Sequence, residues 1–158
     1  MKINYAKLVV ALVACLAAGA IGSIFTAGAI PNWYAALNKP DLAPPNWVFA
    51  PVWTTLYILM GIAAYLVWDK GWKNKDVKVA LDLFGAQLVL NIFWSIIFFG
   101  MKNPLYAFIE IIVLWLAIAL TISKFNKIEK NAAYLMVPYI IWVSFAAYLN
   151  YSIWMLNP

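Results

Sequence analysis

The chain has no histidine and one cysteine, and its 158 residues carry six acids against eleven basic side chains, all of them lysine. Each shortage removes a class of chemistry. Histidine is the usual axial ligand of haem iron and a usual ligand of zinc, so its absence argues against a metal-centred mechanism and implies no cofactor. Cys15 stands alone, which rules out an internal disulfide. There is no Ser-His-Asp set, no phosphate-cradling glycine loop and no acidic cluster, so acid–base and covalent catalysis have no catalytic residues to work with. Charge is scarce as well, at 11% of residues against 66% hydrophobic, with a mean hydropathy of +0.85. A soluble fold of this length could not hide so much apolar surface, and lipid must be its solvent.

Five long, nearly uncharged runs are present, over roughly 5–26, 47–68, 77–100, 104–124 and 132–156. Each has about 20 residues, the length an α-helix needs to cross a ~30 Å hydrocarbon core. The connectors are too short to hold a further domain. The expected fold is therefore an all-α integral membrane protein, a five-helix transmembrane bundle spanning 1–158 as one domain. Leu12-Val13-Ala14-Cys15 mimics a lipoprotein cleavage site and Ala27-Gly28-Ala29 an ordinary one. The apolar run continues past Cys15, which favours an uncleaved first span.

Lysine placement sets the expected orientation. Lys2, Lys7, Lys70, Lys73, Lys75, Lys78, Lys124, Lys127 and Lys130 fall on one side of the five spans, and only Lys39 and Lys102 on the other. By the positive-inside rule the N-terminus is cytoplasmic, in a bacterial cell membrane. The net charge of +5 is then a topology signal, with lysines drawn to anionic lipid. It does not point to nucleic acid.

What the chain does have is concentrated in one stretch. Residues 31–53, PNWYAALNKPDLAPPNWVFAPVW, hold three tryptophans and five prolines. Each proline fixes a φ angle and restricts the residue before it, so the segment is stiff. Large aromatic faces on a stiff backbone beside a bilayer suggest a lid, built from Trp33, Pro44, Pro45 and Trp47, over a flat apolar ligand. Trp47 also suits an interface anchor.

The spans supply candidate walls. In the second, Trp53, Tyr57 and Met60 recur at i, i+4 and i+7 and continue the aromatic loop. In the third, Gln87, Asn91 and Ser95 share a face beside Trp94, and uncharged amides inside a membrane need partners, either neighbouring helices or a ligand. In the fifth, Trp142, Ala146 and Leu149 share a face with Pro138, with Trp142 expected across a cavity from Trp53 and Ala146 leaving room beside it. The small residues of the first span (Ala18, Gly19, Gly22, Ser23, Thr26 and Ala27) read as a helix-packing stripe. Gly85 and Ala86 in the third offer the same close approach, within the bundle or at a dimer interface. Asp82 is expected to pair with Lys78, its i−4 neighbour. Glu110 lacks an obvious partner and stands as a functional candidate.

Several blocks also resemble a known family. Trp33-Tyr34-x-x-Leu37-x-Lys39-Pro40, followed by Pro44-Pro45, Trp47 and Trp53, is similar to the first loop and second helix of the TspO/MBR family. So are Ala86-Gln87-Leu88-x-x-Asn91-x-x-Trp94 with Phe98-Phe99-Gly100-Met101-Lys102, and Val137-Pro138-Tyr139-x-x-Trp142 running to Leu149-Asn150. The likeness covers nearly the whole chain. It implies a five-helix bundle, dimeric as a rule, whose ligands include porphyrins such as protoporphyrin IX. Tyr34, Trp53, Asn91, Trp142 and Ala146 match ligand-contacting positions of that family. Some bacterial members degrade protoporphyrin in light, which the resemblance would assign to Trp53 and Trp142. The sterol-associated motif of animal members is missing, because no basic residue follows Tyr148 or Tyr151. The departure fits a bacterial type of member.

The residues and the resemblance together favour a membrane receptor or sensor that binds porphyrin-like tetrapyrroles in an aromatic cavity under the first loop. The competing readings are a transporter of porphyrins or other hydrophobic ligands, a light-dependent porphyrin-degrading enzyme, and a purely structural membrane protein. Against transport, no paired halves with broken helices are visible.

Overall fold

In a membrane interior every backbone polar group has to be satisfied within the chain, so the apolar runs have one regular solution, the helix. The computed structural model describes residues 3–158, and Lys2 lies outside them. Five helices long and apolar enough to cross a membrane are present: α1 (Tyr5–Ala29), α2 (Phe49–Trp68), α3 (Lys75–Ser95), α4 (Pro104–Ile128) and α5 (Lys130–Leu156). All the starts except that of α2 are marked by side chains that accept from orphan N–H groups of the first turn. Asn4 Oδ1 accepts from the Lys7 N–H at 3.2 Å, Asn74 Oδ1 from Asp76 at 2.9 Å and Asn103 Oδ1 from Tyr106 at 3.0 Å. Pro104 follows Asn103 at the first helical position, where its missing N–H removes no bond.

Two helices end differently from the sequence expectation. The first span does not stop at 26: α1 runs to Ala29 and widens into a π-helical turn, Ile30–Tyr34. Pro31 cannot donate to the i−4 carbonyl, and a wider turn absorbs that lost bond without ending the helix. The Asn32 side-chain amide donates to the Gly28 carbonyl at 3.1 Å. α3 closes the same way, through Ile96–Gly100, with the Met101 N–H reaching back to Ile96 O at 2.7 Å. The start of the proline-aromatic stretch, 31–36, is therefore helical, and a 3₁₀ turn, Asn46–Val48, leads directly into α2. α4 also continues one turn beyond 124, since Lys124 and Lys127 have stems long enough to keep their charges at the interface. α5 runs unbroken through Pro138.

The helices close into a ring, packed in the order α1, α2, α5, α4, α3 and back to α1. At Gly61 two backbones come close: a Cβ there would lie 3.0 Å from the Leu12 Cα and 3.3 Å from the Ala11 carbonyl. Small residues at such a contact let backbones meet where lipid offers no hydrophobic drive between helices.

Most of the charged groups gather at one end. Lys7 pairs with Asp69 at 3.2 Å, joining the start of α1 to the end of α2, and Lys70 pairs with Glu129 at 2.5 Å, joining α2 to the α4–α5 turn. The hydrogen bond from Lys70, with a second from the Asn131 N–H, holds the Glu129 carboxyl below the usual carboxylate range. The expected Asp82–Lys78 pair does not form. Asp82 has no ion-pair partner among the described residues, and Lys78 Nζ lies 5.9 Å over the Trp72 ring. A cation over an indole face is a competing contact for the same lysine.

Candidate ligand-binding cavity

Away from the lysine-rich end the ring does not close on itself. α1, α2, α3 and α5 enclose a cavity of about 290 Å³, and no charged side chain lines it among the described residues. That volume is near the lower limit of small-molecule sites, about 300–1,000 Å³. Exposed Ser23 and Ala27 on α1 and Ala50 on α2 are part of the lining, so the cavity has an open side.

All eight residues expected to touch a ligand lie on this one surface: Tyr34, Trp53, Tyr57, Asn91, Trp94, Trp142, Ala146 and Leu149. Trp53 and Trp142 were expected on opposite walls, but they come from α2 and α5, which pack directly together, so they form adjoining panels of one aromatic wall. Phe49 meets Trp142 edge-on with centroids 6.3 Å apart, and Trp53 meets Tyr139 edge-on at the same distance. Edge-to-face contacts at this range add to burial and fix ring orientation. Trp94 stacks on Phe98 at 5.1 Å and donates its indole N–H to Asn150 Oδ1 at 3.0 Å. Asn150 in turn donates to the Pro104 carbonyl at 2.7 Å, tying α3, α5 and the start of α4 into one corner.

The indole N–H of Trp142 is different. It is buried and has no acceptor among the described residues. A buried donor without a partner is costly, and in a cavity wall it is capacity that a ligand could use. Both carboxylate oxygens of Glu110 are likewise buried and unpartnered, but Glu110 does not line the cavity.

The floor is polar and connected. The Tyr57 hydroxyl donates to Asn91 Oδ1 at 2.5 Å, and Asn91 Nδ2 donates to the Tyr139 oxygen at 3.0 Å. The Tyr139 hydroxyl donates to Gln87 Oε1 at 2.8 Å, and Gln87 Nε2 reaches Met60 Sδ at 3.9 Å. Ser95, expected on the same face as Gln87 and Asn91, lines the cavity, whereas Gln87 lies fully buried behind it.

The four lid candidates lie elsewhere. Trp33 packs edge-on against Phe98 and Phe99, at 5.5 and 6.5 Å. Pro44 is half-buried in the connector, Pro45 is exposed and Trp47 is 74% exposed; none of the four is part of the cavity lining. The loop is held in place by hydrogen bonds at both of its ends. Lys39 Nζ donates to the carbonyls of Tyr34 and Leu37 at 2.9 and 3.0 Å, just past the end of the π-turn. The Asn38 N–H donates to Asn157 Oδ1 at 3.0 Å, and Asn157 Nδ2 donates back to the Asn38 carbonyl at 2.9 Å. This reciprocal pair clips the loop to the end of α5.

Sequence reasoning missed the wall made by α1. Gly19, Gly22, Ser23, Thr26 and Ala27 line the cavity along with Asn46 and Phe49 of α2's approach. The spacing of four in the small-residue stripe was the available signal, but it looks the same whether a helix or a void sits opposite.

A five-span membrane bundle enclosing an aromatic, uncharged cavity is the class of protein that fold and site define. The TspO/MBR family model matches residues 11–155. Tryptophan-rich protein TspO of Chlorobaculum tepidum is 49% identical over 144 residues, 91% of each chain. The human translocator protein is 41% identical over 136 residues, 85% of this chain and 80% of its own. The tryptophan-rich sensory protein of Cereibacter sphaeroides is 37% identical over 157 residues, 99% of this chain and 95% of its own. This chain is a member of the TspO/MBR family.

Proposed function

We propose that this protein is a membrane receptor or sensor that binds a porphyrin-like tetrapyrrole in the cavity between α1, α2, α3 and α5. The observation that carries the reading is the aromatic wall itself, with Trp53, Trp94 and Trp142 on one uncharged surface and one indole N–H left unpaired. Such a wall suits a planar hydrophobe held by stacking and oriented by a few polar groups. At about 290 Å³ and open on one side, the cavity would seat an edge of the macrocycle and leave the rest in the opening. Two relatives whose names mention sensing and translocation support a ligand-responsive role in a membrane. On this reading the receptor is a homodimer in a bacterial cell membrane with its N-terminus in the cytoplasm, and the lysine-rich end of the bundle supports that orientation.

The test is quenching of tryptophan fluorescence by protoporphyrin IX in the dark, in detergent, for wild type and Trp142→Ala. Saturable quenching that weakens roughly tenfold in the variant is expected, about the free energy of one aromatic contact. Non-saturable quenching, equal in both proteins, would mean partitioning into detergent and would end the receptor reading. The shared placement of Trp53 and Trp142 also favours a photochemical reading. Light-dependent loss of bound porphyrin that Trp53→Phe and Trp142→Phe leave untouched would remove that second reading.

A further inference from the structure

We propose that Gln87, which never reaches the cavity, is a positioning residue that decides which hydrogen-bonding groups the cavity floor offers to a ligand. The proposal rests on the cavity being a ligand site, though not on the ligand being a tetrapyrrole.

A thioether sulfur accepts and never donates, so Gln87 turns its NH₂ to Met60 Sδ, leaving Oε1 as the only end that faces Tyr139. The Tyr139 hydroxyl gives its single proton to that oxygen at 2.8 Å. Its own oxygen then can only accept, which requires the NH₂ of Asn91 to face it, at 3.0 Å. Asn91 Oδ1 is thereby turned to Tyr57, whose hydroxyl donates at 2.5 Å. Met60, Gln87 and Tyr139 are 0% exposed, so a ligand in the cavity does not reach the bonds among these three. Only Tyr57 and Asn91 line the cavity. Tyr57 has spent its proton inside the wall, and its oxygen is left as an acceptor. A ligand with an N–H at that point finds a partner, and one with a bare oxygen meets an oxygen. Without the Gln87 carbonyl, the Tyr139 proton turns to Asn91 Oδ1, the amide rotates, and the Tyr57 hydroxyl is free to donate into the cavity.

Carbazole and dibenzofuran test this, because they are the same flat tricycle with an N–H in one and a ring oxygen in the other. Dissociation constants for both are measured by calorimetry in detergent for wild type, Gln87→Leu and Tyr139→Phe. Wild type is expected to prefer carbazole roughly tenfold, as one unmatched buried polar group would demand. Gln87→Leu is expected to bring the ratio to one or below, with dibenzofuran binding gained. Tyr139→Phe keeps the ring volume, is expected to abolish the preference as well, and decides the matter if Gln87→Leu does not fold. A wild-type ratio near one, a preference that survives both variants, or equal weakening of both tricycles would overturn the proposal. So would failure of either tricycle to bind. Protoporphyrin IX titrated into the same preparations separates the two readings: discrimination between the tricycles without porphyrin binding removes the tetrapyrrole and leaves the relay.

Discussion

A methyl group added at Gly61 would meet backbone, with the Leu12 Cα at 3.0 Å and the Ala11 carbonyl at 3.3 Å, whereas at Gly85 it would meet nothing within 4 Å. The two glycines therefore predict opposite outcomes. Gly61→Ala forces α1 and α2 apart and should destabilise the bundle by about 1–3 kcal/mol, as overpacking of a close contact does. Gly85→Ala replaces the poorest non-proline helix former in open space and should be neutral or stabilising by up to ~1 kcal/mol. Thermal unfolding in detergent of the two variants checks both signs. Ala146 gives a third residue-scale prediction. Ala146→Leu places a branched side chain on the cavity wall and should weaken protoporphyrin IX binding at least tenfold, on the order of 1.4 kcal/mol, while leaving thermal stability near wild type. A Gly61→Ala protein as stable as wild type, or an Ala146→Leu protein that binds unchanged, would refute the packing or the cavity respectively. At this scale the aromatic positions were legible in the sequence, because indoles at helical spacing beside a stiff loop have few other reasons to be there. The α1 wall was not legible, since Gly19 and Gly22 carry no chemistry of their own and acquire a role only from what stands opposite. Tyr139 was equally silent. Its importance lies in where one proton points, which no spacing reveals.

Among the elements, the turns between helices carry most of the specificity of the bundle. Spans α2 to α5 were legible to within a few residues, since twenty apolar residues in lipid leave the backbone no other regular form. The π-turns were not. Pro31 looked like the start of a loop, yet Ile30–Tyr34 remains helical because a wider turn accommodates the missing donor. The Asn38–Asn157 clip joins positions 119 apart in sequence and could be found only from the fold. The Lys70–Glu129 pair tests the other end of the bundle. Its carboxyl is held below the usual carboxylate range by hydrogen bonds from Lys70 and the Asn131 N–H, so it titrates lower folded than unfolded. Its contribution to stability is then fully present above the ordinary carboxylate pKa and is lost as pH falls through the lowered one. Glu129→Gln retains an oxygen that can accept from Asn131 and removes the charge. The thermal midpoint of wild type should fall more steeply than that of Glu129→Gln on acidification through this window, and the curves should converge at its acidic end. Parallel curves would show that the pair contributes nothing measurable, as many exposed ion pairs do.

For the whole molecule, the asymmetry of charge is a statement about the membrane. Eight described lysines, Lys7, Lys70, Lys73, Lys75, Lys78, Lys124, Lys127 and Lys130, sit at or near the helix ends on one side of the bundle. Lys39 and Lys102 lie at the cavity end. The fold makes this asymmetry directly testable, because the single cysteine, Cys15, is 0% exposed within the first span. A membrane-impermeant maleimide cannot reach it, so wild type provides a silent background. Asp41→Cys places a thiol in the loop over the cavity, and Lys73→Cys places one in the α2–α3 turn. In right-side-out bacterial vesicles the positive-inside rule predicts that Asp41→Cys is labelled and that Lys73→Cys is labelled only after the membrane is opened. The cavity and its clip would then face the cell exterior, and a ligand would be sampled from that side of the bilayer. The reverse pattern would put the cavity on the cytoplasmic side. The lysines would then owe their placement to the protein's own ion pairs at Asp69 and Glu129, and the sensing reading would have to start from an internal ligand.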